Sequence, residues 1–118
     1  MNNNFQIIKI DSNLRSFFEK IFLLNKGEVQ ILTENSKKPL VVHKKTEQIT
    51  YVYEGCGLVF LNNKKIDINE GNLILISKGT EHSFVCNEGK LNLIHFHYPK
   101  DNIEKDIEIL LENIKGRK

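Results

Sequence analysis

Apolar residues in this chain come in short, β-branched bursts separated by Gly, Asn, Asp, Ser and Pro, only the tail is clearly helical, and Phe17, Ile21 and Leu24 fit a helix about as well as Phe18, Phe22 and Leu24 fit a strand. Leu40 to His43, Ile49 to Tyr53, Leu58 to Leu61, Lys65 to Ile68, Leu73 to Ile76, Ser83 to Cys86 and Leu91 to Tyr98 each read as a strand. Asn62-Asn63 tolerates the left-handed backbone of a tight hairpin, and Glu54-Gly55-Cys56-Gly57 is suited to a bulge or sharp bend. Upstream, Phe5 to Ile10 is rich in strand formers, and Asp11-Ser12-Asn13 interrupts it as a turn or cap. A short helix or turn around Ser16-Phe-Phe-Glu19 then leads to a strand from about Phe18 to Leu24, and Asn25-Lys26-Gly27 turns the chain into Val29 to Leu32. At the other end, Asp101-Asn-Ile-Glu104 caps a predicted helix of about residues 101–115, with Ile103, Ile107, Leu110, Leu111 and Ile114 as its apolar stripe.

Many short strands with frequent turns and no helix between them predict an all-β fold, a closed antiparallel barrel or sandwich with one C-terminal helix. At 118 residues the chain has room for a single domain, residues 1–118, with its barrel at about 18–98. The formal charge of +2 disfavours nucleic acid or an anionic membrane as partner. No apolar run reaches the roughly 18 residues of a membrane helix. Met1-Asn-Asn-Asn lacks the layout of a signal peptide, so the expected location is cytoplasmic. The cysteines, Cys56 and Cys86, have no Cys-x-x-Cys spacing and are expected as free buried thiols.

Candidate chemistry centres on the stretch from Gly71 to Cys86, which reads as strand, turn at Gly79, strand. His82, Phe84 and Cys86 share parity there, so in an extended strand all three project to one face. His95 and His97 share parity on the last strand.

Residues 35 to 86 resemble the cupin family, small jelly-roll-like β-barrels with two motifs on facing strands. The second motif, G-x5-P-x-G-x2-H-x3-N, is matched by Gly71, Gly79 and His82, with Ser77 in place of Pro and Cys86 in place of Asn. The first, G-x5-H-x-H-x3-4-E-x6-G, is met at His43 and Gly55, but Asn35 replaces the leading Gly, Val41 the first His and Gln48 the Glu. In metal-bearing cupins three histidines and a glutamate hold iron, manganese, zinc or nickel. Carried over, the resemblance implies His43 and His82 as metal ligands or catalytic groups, and Gln48 as a neutral oxygen donor. Glu47 is one residue off and substitutes only if a bulge turns it inward. Loss of the carboxylate lowers the expected affinity for a cation.

Thr50 and Val52 on the first-motif strand, Phe84 and Cys86 on the second, and His95 and His97 beyond it are the remaining pocket candidates. Tyr51 and Tyr53 have the opposite parity and are expected outside the cavity, against a dimer partner or helix. Such a lining suits a small organic ligand, in a protein expected to be a homodimer. Three functions remain open: a metal-assisted isomerase, epimerase or oxygenase on a small sugar or organic acid; a metal-free ligand-sensing module; and a metal-independent sugar isomerase or epimerase with a histidine base.

Overall fold

The computed structural model of the protein describes residues 5–11, 14–17, 20–21, 27–98 and 107–112. They contain β1 Phe5–Lys9, β2 Glu28–Thr33, β3 Leu40–His43, β4 Glu47–Leu61, β5 Lys64–Asn69, β6 Asn72–Ile76, β7 His82–Val85, β8 Lys90–Tyr98 and β9 Ile107–Leu111. All the pairings are antiparallel, as the alternating pattern predicts.

The long strand β4 creates two layers. Its first part pairs with β6 and β8, and its second part pairs with β5 and β7. One layer therefore runs β1-β6-β4-β8-β2 and the other β5-β4-β7-β3-β9. The strand bends at a register shift between Val52 and Glu54, next to Gly55 at φ 90°. The hairpin to β5 turns on Asn62 and Asn63, both left-handed at φ 47° and 74°. Between the layers, Val52, Val59, Leu61, Ile68, Ile74, Leu91 and Leu93 are fully buried and form the apolar plug of the molecule.

Three expectations need correction. First, hydrogen bonding among the described residues does not run round a closed barrel, because β1 and β2 end one layer and β5 and β9 the other. After β2 comes the polar loop 34–38, and then Pro39, which has no N–H to pair. β3 itself meets β7 at a single register pair, Val41 with His82. The result is an open, two-layer, jelly-roll-like sandwich.

Second, residues 107–111 of the expected C-terminal helix form β9 on the edge of β3, with Ile107 opposite His43 and Ile109 opposite Val41. Ile107-Glu108-Ile109 satisfies a period of two as well as a helical one, and the open edge of β3 decides between them. Lys44 adds an exposed ion pair to Glu108 at 3.1 Å. Residues 101–106 and 113–115 lie outside the described residues.

Third, Lys20 and Ile21 are helical where a strand from Phe18 to Leu24 is expected. The described part of this segment starts at residues 14–17, with the Leu14 N–H donating to the Asp11 carbonyl at 2.9 Å. Ile21 and Ile10 pack against the cluster of Tyr51 and Ile94, so a helical turn brings the apolar side onto the sheet. Arg15 fastens it, with Nη2 on Glu70 at 2.6 Å. Phe18, Phe22 to Leu24, Asn25 and Lys26 are outside the described residues. Of the two thiols, Cys86 is buried and Cys56 is exposed.

Candidate functional site

The end of the sandwich opposite the apolar plug is polar, and both layers contribute to it. On β4 and β8 the side chains of one parity face inward, and the register sets Gln48 opposite His97 and Thr50 opposite His95. On the other layer His43 ends β3 and His82 begins β7, where the turn 77–80 brings the Gly79 N–H onto the His43 carbonyl at 2.7 Å. His43, His82, His95, His97, Gln48 and Phe84 thus line one cavity of about 420 Å³. Its volume is in the range of small-molecule sites.

The rings stand close together. His43 stacks on His82 with centroids 5.5 Å apart and an interplanar angle of 23°, and lies 4.8 Å from His97. Phe84 bridges to the remaining ring, 6.2 Å from His82 and 5.3 Å from His95. His43, Gln48, His82 and His95 are buried, and His97 is half-buried.

Gln48 is the hub of the hydrogen bonds. Its Nε2 donates to Thr50 Oγ1 at 2.8 Å and to His95 Nδ1 at 3.1 Å, while its Oε1 accepts from His97 Nε2 at 3.2 Å. Thr50 Oγ1 donates to His95 Nδ1 at 2.7 Å, and His95 Nε2 donates to Gln30 Oε1 at 2.7 Å. His82 donates from Nδ1 to the Thr80 carbonyl at 2.9 Å. Burial pushes His82 down from 6.5 to about 4, with His43 and His97 adding to the shift against the Thr80 bond. Burial likewise pushes His95 down to about 3, assisted by its neighbours His97, His82 and His43. Both rings are therefore neutral hydrogen-bonding groups at pH 7.

Gln48→Leu keeps the bulk of the side chain and deletes the hub. His97 loses its acceptor, and His95 and Thr50 lose a donor in a place water reaches poorly, which costs about 2 kcal/mol. A denaturant melt of Gln48→Leu beside Gln48→Glu checks this, and a loss below about 0.5 kcal/mol would contradict the role of the hub.

The other predicted residues are placed elsewhere. Val52 and Cys86 belong to the apolar plug, outside the cavity wall. Thr50 acts behind the wall through its bonds to Gln48 and His95. Glu47 is exposed and no bulge turns it inward, in keeping with its parity. Tyr51 is fully buried on the outer side of its sheet, with its hydroxyl 3.4 Å from Arg15 Nε. Sequence reasoning missed Gln30, and also Glu28 and Lys37 among the exposed residues of the lining. Gln30 did carry a signal, being a polar residue at the same parity as the buried Leu32.

The cupin resemblance implies a divalent metal, and the side chains present allow a test of fit. His82 is oriented as ligating imidazoles are, with Nδ1 on a backbone carbonyl. The others are not. Both nitrogens of His95 and the Nε2 of His97 are engaged with amides or a hydroxyl. His43 and His82 lie face to face. Among the described residues no three His, Cys, Asp or Glu side chains converge to hold an ion. This donor set does not fit a resident metal.

Comparison with known proteins agrees with the fold. The uncharacterized protein MJ1618 of Methanocaldococcus jannaschii is 37% identical over 92 residues, covering 72% of this chain and 72% of that protein. A cupin protein from Bacteroides fragilis superposes with a TM-score of 0.56 at 17% identity, over 63% of this chain and 64% of its own. A DUF861 family protein from Thermotoga maritima gives 0.58 at 18% identity, over 80% and 99%. Salicylate 1,2-dioxygenase from Pseudaminobacter salicylatoxidans gives 0.59 at 15% identity over 71% of this chain, which spans only 24% of that enzyme. Likenesses at these identities establish the cupin fold and nothing finer. Among the described residues no helix is long and apolar enough to cross a membrane. The model of the AraC-like ligand binding domain matches residues 30–105, which contain all four histidines and most of both layers, and the chain belongs to that family.

Proposed function

We propose that this chain binds a small organic molecule in the cavity between its two layers and acts as a ligand-binding module. The observation that carries the reading is the convergence of the four imidazoles and Gln48 on one cavity, with apolar walls from Leu32, Val41 and Phe84. A few fixed polar groups in an apolar hollow give orientation and specificity to a ligand.

The catalytic readings fare worse on chemistry. Metal-assisted isomerisation, epimerisation or oxygenation needs an ion for which this donor set is unsuited. A metal-independent isomerase needs a base that titrates near working pH, and burial of His82, one of the two candidate bases beside His43, pushes it down to about 4, away from that range. Among the described residues no tyrosine lines the cavity to serve as the acid.

Thermal-shift screening of sugars, phenols and small organic acids tests the proposal. A ligand at about 100 times its Kd adds about 2.7 kcal/mol, which raises the melting point by roughly 10 °C. Val41→Trp, which fills the hollow from its half-buried wall, is expected to abolish that rise. Ligands that stabilise Val41→Trp as much as the native chain would place binding elsewhere and defeat the reading.

A further inference from the structure

We infer that the place against His82, where a metal would be ligated, is taken by a hydroxyl of an uncharged ligand; this rests on the cavity being the ligand site. The Thr80 carbonyl oxygen only accepts, so its 2.9 Å bond fixes the proton of His82 on Nδ1 and leaves the lone pair on Nε2. No described residue takes that Nε2, although the side chain is only 3% exposed and lines the cavity. An acceptor that faces a cavity without a protein partner is open to an incoming hydrogen donor.

The surrounding network is set against a cation at the same place. His97 directs its Nε2–H at Gln48, His95 directs its Nε2–H at Gln30, and the amide of Gln48 is used at both ends. Turning Gln48 or His97 onto an ion would leave Thr50 or His95 short of a buried partner.

The same groups select the class of ligand. A carboxylate has no hydrogen to give and would meet the His82 lone pair directly, while among the described residues the only cationic one in the lining, Lys37, is exposed. An ammonium would have to leave water for a cavity in which, among the described residues, the only lining carboxylate, Glu28, is exposed too. A hydroxyl meets both needs. It donates to His82 and accepts from a donor such as the Gln30 amide, whose Oε1 already serves His95.

The test uses the native chain with labelled histidines, their ring nitrogens followed by NMR, and phenol, anisole, benzoate and Zn²⁺ as probes. Phenol is expected to move the His82 Nε2 resonance and to bind about tenfold tighter than anisole or benzoate, the fold-change of one lost hydrogen bond. Zn²⁺ is expected to leave the ring nitrogens where they are. Anisole or benzoate binding in the cavity as tightly as phenol, or one Zn²⁺ held at His82 Nε2, overturns the inference and leaves the cavity as a ligand site. Cavity histidines unmoved by all the probes would overturn both.

Discussion

Gly55→Ala is expected to destabilise the protein by about 2–5 kcal/mol, lowering its melting point by 10 °C or more. Two costs add at this position. The backbone is left-handed at φ 90°, which costs a residue with a Cβ about 1–2 kcal/mol. The new Cβ would also overlap the Lys90 carbonyl oxygen and crowd the Leu91 Cα, both backbone atoms of β8 that cannot swing aside. Relief would require β8 to move away from β4, and with it His95 and His97. Gly79→Ala separates the two costs. Gly79 has a similar φ of 85° but nothing within 4 Å of its missing Cβ, so it bears only the backbone strain. Equal melting points for the two variants would contradict the close approach of β4 and β8.

Acid is expected to destabilise the native protein steeply between pH 6.5 and pH 4. His82 and His95 have pKa values depressed from 6.5 to about 4 and about 3, so in this window the unfolded chain binds protons that the folded chain refuses. Stability from these rings is fully present above about pH 6.5 and is lost as pH falls towards their folded values. From pH 7 to pH 5 the loss is about 2 kcal/mol for each ring, an upper figure of about 4 kcal/mol for both. Urea melts at stepped pH measure the slope. His95→Gln is expected to flatten it, because the variant removes one of the two refused protons, and an unchanged slope would count against burial as its source.

Much of this site was legible in the sequence, because a strand has a period of two and turns have a chemistry of their own. His43 and His82 stand out by motif spacing, and the shared parity of Gln48 with Thr50 and of His95 with His97 is enough to put each pair on one face. What joins them was not legible. Gln30 reaches His95 only because β2 lies beside β8 in a register that sets Glu28 opposite His95, and nothing in either strand announces that alignment. The tail misled for a related reason. Ile107 to Leu111 fits two periods, and the deciding partner, the edge of β3, lies far away in the chain. Among the described residues the barrel is open beside Pro39 and the polar loop before it, which read as an ordinary turn until the layers are assembled.

The imidazoles of His82 and His95 are held neutral, each with its proton on a fixed nitrogen, in the wall of one cavity. Titration of the individual histidine ring nitrogens by NMR tests this most directly. Both rings are expected to stay neutral down to pH 5, His82 protonated on Nδ1 and His95 on Nε2, with ring-to-ring contacts linking His82 to His43 and His43 to His97. Either ring titrating near 6.5 as a free histidine does, or showing a mixture of tautomers, would contradict the account.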